Sequence, residues 1–408
     1  MYEDLGTLLR IDTLQPLLLA EALIECSNYK SNVIDRCLRE VAKELQAKED
    51  VTAHRVDKTA AFMLIHTEKY HRKLDDILVD SSKFQRIAKN PVDDIKHEAS
   101  RINETVNAAC VALHLPPIVG NHDLSYIYGN VKTNKLRNPL CLIISQIRAP
   151  PYQLAKKLNA VLTPYVLGDR SLKSSAGFMK VLKMTPTGGV IGSMDVESPF
   201  PNIPVDETIQ IILDRVYRDD SMLPKHIPLR SVQKRLLSPP RGHMSIQKDG
   251  AAMGSPLGAL FTNFYMGTVK CWVFTTTETP STYIQYIDDT FMSTSTEEEV
   301  EHLQQAFHDH SRLNFTNEYC HDCRLPFLNI LMGQQVESLI TQVYTKPANL
   351  GMCLNGENKY PESYKHTAIS AFVRKALSHC CSWKGKHAEL EHAVQVLINN
   401  GYSSWDIT

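Results

Sequence analysis

A chain of 408 residues, 43% of them hydrophobic and 22% charged, can bury a sizeable core and hold more than one domain, and its composition is that of an ordinary globular protein, not a disordered one. The net charge is −1, so any nucleic-acid partner must be met by a local basic surface rather than by a global field. Ten irregularly spaced cysteines do not make a secreted disulfide framework, MYEDLGTLLR is too acidic for a signal peptide, and PLLLAEALI is too short to span a bilayer. The expected compartment is intracellular and reducing, with no membrane partner.

Residues 14–47 read as helix, and CLREVAKELQAKE is strongly amphipathic. A short strand and further helices follow, up to about Pro117, with SRINETVNAACVALHL the clearest helix. SYIYG and LCLIIS are strand candidates on either side of a basic turn, and PYQLAKKLNAVLTPYV returns to helix. A Gly-Gly turn at 188–189 leads into VIGSMDV, a buried-strand candidate ending on Asp195, and Asp206 is a candidate cap for the next helix. Residues 222–248, rich in Pro, Lys and Arg, read as an exposed basic connection. STYIQYIDDTFMSTS reads as strand, tight turn and strand, after which Thr296 and Glu299 form a capping box. Short strands are expected at LNFTNE, LPFLNILM and LITQVYTK, then a helical C-terminus. The class expected is α+β.

The chemistry centres on YIDDTF, where Asp288 and Asp289 are adjacent between apolar residues. Taken alone, such a pair is common in surface hairpins. Like charges side by side raise each other's proton affinity unless a cation neutralises them. Hard divalent cations are held by carboxylates together with substrate phosphates. If the strands ending at Asp195 and turning at Asp288 are neighbours, three carboxylates converge and can clamp two metals for phosphoryl transfer. GAAMGSPLGALFTNFYMG adds a turn of small residues, where Gly254 and Ser255 allow close backbone approach to a flat partner. Phe200, five residues after Asp195, is a ring that can press on a sugar. The CHDC at 320–323 lacks a matching second half for zinc and reads as a hairpin turn, and His379, Cys380 and Cys381 read as helix packing.

The motifs SMDVESPFPNIPVDETI, DGAAMGSPLGALFTNFYMG, YIDDTF, LNFTNE…LPFLNILM and VYTKPANLGMCLN resemble, in sequence and order, the palm of reverse transcriptases. More narrowly they resemble Penelope-like retroelements, whose catalytic domain is similar to that of telomerase. RVDKTAAFMLI, SKFQRI, YIYGNVKTNK and PLCLIISQIRAPPYQLAKKLNAVLTPY resemble the fingers of that family, and YKHTAISAFVRKALSHC…HAELEHAVQVLINNGY its helix-turn-helix-like thumb. The resemblance implies a right-hand polymerase fold: a helical N-terminal region at 1–50, fingers at 51–185, a palm at 186–350 and a truncated thumb at 351–408. It implies RNA-directed DNA synthesis from dNTPs on an RNA template and DNA primer. Asp195, Asp288 and Asp289 would hold two Mg²⁺ ions, with Mn²⁺ the alternative. Phe200 would exclude a 2′-hydroxyl, Met253, Gly254 and Ser255 would lie near the templating pair, and Lys58 would bind the triphosphate. Lys132, Lys135, Arg137, Lys156 and Lys157 would grip nucleic-acid phosphates from the fingers. So would Lys225, Arg230, Lys234, Arg235 and Arg241 in a second cluster, and Lys365, Arg374 and Lys375 in the thumb.

The chain departs from the family in places. Cys141 stands where an arginine usually contacts the triphosphate, a contact whose loss costs about 10²–10³ in rate by analogy with oxyanion donors. Pro199 and Pro201 flank Phe200 and remove two N–H donors, and Asn329 replaces an acid. The alternative reading is therefore a catalytically weakened or decayed copy that only binds nucleic acid. The chain ends at SSWDIT without a GIY-YIG pair, so no endonuclease domain is expected in it. Nuclear residence is what a retroelement polymerase would need.

Overall fold

The computed structural model describes residues 43, 47, 50–57, 62–88, 92–109, 125–133, 135–166, 168, 170–172, 174–186, 188–217, 235–238, 244–320, 324–334, 338–347, 349, 351–358 and 360–407. In chain order the first elements are β1 (Val51–Arg55), β2 (Phe62–His66), α1 (Thr67–Leu78), β3 (Phe84–Ile87) and α2 (Val92–Ala109). Next come β4 (Ser125–Val131), β5 (Leu140–Ser145), α3 (Tyr152–Leu162) and α4 (Ser175–Leu182). The middle of the chain forms β6 (Val190–Val196), the single turn α5 (Pro199–Asn202), α6 (Val205–Val216), β7 (Arg235–Ser238), β8 (Met244–Gln247) and α7 (Gly258–Thr276). Then follow β9 (Thr282–Tyr286), β10 (Asp289–Thr294), α8 (Glu297–Asp309), β11 (Phe315–Tyr319), β12 (Arg324–Phe327), β13 (Ile330–Gln334) and β14 (Leu339–Val343). The last are α9 (Glu362–His379), α10 (Trp383–Asn399) and α11 (Ser404–Ile407). Helices and strands interleave, as the α+β expectation requires.

Two compact units form. One takes the described residues of Met1–Ile77, Gly129–Leu142 and Thr341–Thr408, the other those of Leu78–Tyr128 and Ile143–Ile340.

The second unit is built on an antiparallel sheet in the order β11-β6-β10-β9 and on α7. α7 is apolar almost all round, and most of it is buried, with Ala259, Cys271 and Trp272 left exposed. Leu260, Phe261 and Phe264 pack with Leu154 and Leu158 of α3 and with Ile212 and Val216 of α6. Tyr265, Met266, Val269 and Val273 pack instead with Met194 and Val196 of β6, Met292 of β10 and Leu303 and Phe307 of α8. The period of two sends the intervening residues to the other face of the sheet. There Ile191 and Phe291 meet Phe178 and Leu182 of α4 and Leu325, Phe327, Ile330 and Met332 of β12 and β13. A second sheet, ordered β3-β8-β7-β4-β5, contains one parallel pair, β4 with β7.

Several local expectations need correction. LPFLNILM is not one strand but the hairpin β12–β13, because Leu328 (φ +47°) and Asn329 (φ +64°) turn the chain with the sign pattern of a type I′ turn. Between β11 and β12 the expected hairpin is replaced by a passage between different sheets; 321–323 lie outside the described residues. β7 and β8 form within the stretch read as a basic connection. Asp206 lies inside the first turn of α6, and the Val205 N–H donates instead to Oδ1 of Asp249 at 3.0 Å. At α8, Thr296 accepts from the N–H of Glu299, whose carboxylate accepts from Ser295 one residue before the expected partner. The helix expected at 14–47 falls outside the described residues, apart from 43 and 47.

In the first unit, Ile65 of β2, Tyr70 and Leu74 of α1, Val131 and Leu140 share a core. The Gly129 N–H donates to the Tyr70 hydroxyl at 2.7 Å. A Cβ on Gly129 would meet the Leu140 side chain at 2.8 Å, so only glycine fits. Near the C-terminus, Ala376 of α9 and Ala393, Val396 and Leu397 of α10 are buried. Asn400 clips the loop before α9, donating to Gly351 O at 2.8 Å and accepting from the Cys353 N–H at 3.1 Å. Cys380 and His379 are buried, as packing residues should be, while Cys381 is exposed with its sulfur accepting from the Thr341 N–H. Among the described residues no helix is long and apolar enough to cross a membrane.

His54 of β1 stacks on Tyr70 at 3.4 Å between ring centroids, and burial, with His71 nearby, lowers its pKa to about 4. The folded chain therefore holds this imidazole neutral while the unfolded chain protonates it near pH 6.5. Stability is complete above about pH 6.5 and falls as the pH drops towards 4. Thermal unfolding followed across that window should show a decline that His54→Phe makes shallower.

Candidate active site

β6 and β10 pair so that Asp289 stands directly opposite Asp195, and Asp289 also opposes Tyr286 of β9. Cross-strand partners share a face, with Cβ atoms about 4.5–5.5 Å apart. That face is the one carrying Ile191 and Phe291, beyond whose packing the two carboxylates stand at the end of the sheet. Asp195 is exposed, and Asp288 and Asp289 are half-buried.

Asp288 is placed by a two-residue turn. β9 ends at Tyr286 and β10 begins at Asp289, leaving Ile287 and Asp288 to reverse the chain. Ile287 has φ +55° and Asp288 does not share the positive sign, the pattern of a type II′ turn. Glycine is the usual residue at that first position, and a β-branched residue there is strained by roughly 1–3 kcal/mol. The surrounding structure holds it. Gln285, only 4% exposed, donates from Nε2 to the Ile287 carbonyl at 2.9 Å. The Gln285 backbone is itself bonded on both sides, its N–H to Arg170 O and its carbonyl to the Leu172 N–H, each at 2.8 Å. Sequence reasoning missed Gln285 and Ile287. The available signal was a lone amide among the apolar residues of the strand, three residues before Asp288.

Phe200 sits in α5, five residues beyond Asp195. Pro199 and Pro201 occupy the first and third positions of this turn, where an N–H has no intrahelical acceptor, so the prolines cost it no helical hydrogen bond. Asn202 closes the turn, donating to the carbonyls of Glu197 and Ser198 and accepting from Lys83 Nζ at 2.7 Å. The Phe200 ring lies against the start of α7, where a Cβ on Gly258 would be 3.4 Å from it. Its carbonyl accepts from the Ala251 N–H at 2.6 Å.

Met253, Gly254 and Ser255 form the turn that precedes α7. The Met253 carbonyl accepts from the Ile144 N–H of β5 at 2.8 Å, and Gly254, at φ +108°, approaches so closely that a Cβ would meet Ile144 O at 2.6 Å. Ser255 braces the turn itself, its Oγ accepting from the Leu257 N–H at 3.2 Å just before the helix begins.

The basic residues are less united. Lys132, Lys135 and Arg137 share the β4–β5 turn. Lys365 and Arg374 are nine residues apart on α9, about two and a half turns, so they lie on opposite sides of the helix. Lys365 is paired with Glu362 at 3.0 Å, and Arg374 donates to Ser370 O. Lys58, Lys225, Arg230, Lys234 and Arg241 lie outside the described residues, and only the backbone of Arg235 is described. Cys141 is buried on β5.

A facing pair of carboxylates with a third on the adjoining turn supplies the oxygen donors that Mg²⁺ or Mn²⁺ prefers, so the residues fit a hard cation. Among the described residues no three His, Cys, Asp or Glu side chains stand ready-gathered as a metal cluster, and the observed match is the Asp195–Asp289 pair. The turn makes its own prediction. Replacing Ile287 by Gly should raise stability by about 1 kcal/mol, and Gln285→Leu should lower it by about 1–3 kcal/mol through the orphaned carbonyl, both read from chemical denaturation.

With the geometry in view, comparison with solved structures identifies the fold. The telomerase of Candida albicans in complex with a TWJ fragment of telomeric RNA superposes with a TM-score of 0.59 at 10% identity, over 92% of this chain and 66% of that one. Candida tropicalis telomerase gives 0.51 both with its TWJ RNA fragment (11% identity, 91% and 65% covered) and in the apo form (8%, 90% and 67%). The chain thus spans just under two thirds of the first of these proteins. Residues 352–408 match the animal helix-turn-helix domain family. No curated protein matches the chain by sequence. At about a tenth identity the likeness is one of architecture: the chain has a right-hand polymerase fold.

Proposed function

We propose that the chain is an RNA-directed DNA polymerase of the Penelope-like type, extending a DNA primer on an RNA template with dNTPs. The observation that carries the proposal is the opposition of Asp195 and Asp289 in one strand register, with Asp288 on the strained turn beside them. In this reading the sheet β11-β6-β10-β9 with α7 and α8 is the palm, and the C-terminal helices, matching a helix-turn-helix family, are the thumb. Two Mg²⁺ ions held at Asp195, Asp288 and Asp289 would supply activation of the primer 3′-hydroxyl and neutralisation of the triphosphate. The protein's own contribution is position. Phe200, backed by Gly258, limits the room beside the incoming sugar. The Met253–Ser255 turn, held on β5 by the close approach of Gly254 to Ile144 O, would lie near the templating pair. A polymerase of this kind would work in the nucleus.

Primer extension on an RNA template with Mg²⁺ tests the reading. The parent should extend, and Asp195→Asn and Asp288→Asn should each lose at least about 10²–10³ in rate. Equal rates for parent and Asp288→Asn would remove the metal assignment. Binding of template–primer without extension, restored by Cys141→Arg, would instead select the weakened copy.

A further inference from the structure

Phe200 rides on a turn that does little to hold itself. α5 is a single turn of four residues, and Pro199 and Pro201 have no N–H to give. The chain enters it through Ser198 at φ +49° and ψ +60°, a left-handed conformation that strains a residue other than glycine. The Ser198 side chain makes no capping hydrogen bond. What fixes the turn comes from outside, along two arms that both start at the paired strands β3 and β8.

One arm is Lys83, the residue before β3. Its backbone is held on both sides, the N–H donating to Asp80 O at 3.1 Å and the carbonyl accepting from the Lys248 N–H at 2.7 Å. An ammonium only donates, so its bond to Asn202 Oδ1 decides which way that amide faces. Nδ2 is thereby turned toward the carbonyls of Glu197 and Ser198. The other arm is Gln247 of β8, buried, whose Nε2 donates to the carbonyls of Asp249 and Gly250 at 3.0 and 3.1 Å. The N–H that follows them, that of Ala251, ends on the Phe200 carbonyl. The peptide carrying the ring is thus gripped from both sides. A ring that excludes a 2′-hydroxyl does so by overlap, and overlap costs little when the ring can step back. We propose that Lys83 is a positioning residue of the sugar gate, holding the Phe200 turn through Asn202 so that the ring does not yield to a ribonucleotide. The inference deepens the polymerase reading and rests on it for the substrate, while the clamp itself supplies the geometry.

Single-nucleotide primer extension by the full chain, with matched deoxyribonucleotide and ribonucleotide triphosphates, tests it. Lys83→Met should lower the ratio of the two kcat/KM values on the order of tenfold, and Lys83→Arg should restore it. Phe200→Ala should abolish the discrimination, and adding Lys83→Met to it should change the ratio no further. A ratio unaltered by Lys83→Met overturns the proposal, whatever happens to the separate rates. So does a further change in the Phe200→Ala background, since Lys83 would then act on the nucleotide by another route. The ring is also read without catalysis, by fluorine NMR of the chain carrying para-fluorophenylalanine, with the Phe200 line assigned by Phe200→Leu. That line should shift or broaden in Lys83→Met and return in Lys83→Arg; an unmoved line overturns the positioning. A Lys83-dependent line in a chain that extends no primer keeps the positioning and removes the polymerase. Primer extension with selectivity indifferent to Lys83 does the reverse.

Discussion

Everything at the candidate site depends on the register between β6 and β10. Side chains alternate along a strand, so a slip of one residue would send Asp289 to the face opposite Asp195 and turn the core residues outward. The acids do nothing to prevent this, since like charges placed opposite one another weaken a sheet. The register is held from both sides instead. Met194, Val196 and Met292 are packed beneath α7 and α8, while Ile191 and Phe291 are packed against α4 and the β12–β13 hairpin. A sheet buried on both faces can place carboxylates at its end because its apolar residues tolerate no other alignment.

The segment before α7 shows a second economy of construction. Glycines recur every fourth residue at 250, 254 and 258, and each admits a different neighbour. A Cβ would meet Pro201 O at 2.5 Å from the first, Ile144 O at 2.6 Å from the second and the Phe200 ring from the third. One short stretch therefore packs closely on α5 at both of its ends and on β5 at its middle. The strain at Ile287 belongs to the same logic, since a conformation of that kind persists only where its surroundings over-determine it.

Much of this was legible in the sequence, for identifiable reasons. The strand–turn–strand of STYIQYIDDTFMSTS was marked by alternation and by the acids at its turn, and α7 by a long apolar run. The pairing of β6 with β10 was not legible, because Asp195 and Asp289, 94 residues apart, carry no local sign of being neighbours; motif order alone pointed to it. The β12–β13 hairpin hid behind a continuous apolar pattern, its one visible clue being Asn329 at a left-handed position. β7 and β8 were masked by basic composition, which reads as loop unless sheet partners are known. Lys73 was out of reach, because it acts on the main-chain carbonyls of Arg137 and Asn138 and leaves no pattern in the residues it holds.

The unit containing β1, β2 and α1 draws its chain from three separated stretches, one early, one in the middle and one from Thr341 onward. The other unit is complete once Ile340 has been made. On a ribosome the order of maturation is therefore fixed by topology. The unit bearing the aspartates can fold while synthesis continues, whereas its companion has the core of β2, α1, Val131 and Leu140 by residue 140 and receives the chain from Thr341 onward only later. Synthesis interrupted after Ile340 would release a chain with its carboxylates in place and its first unit lacking the C-terminal helices.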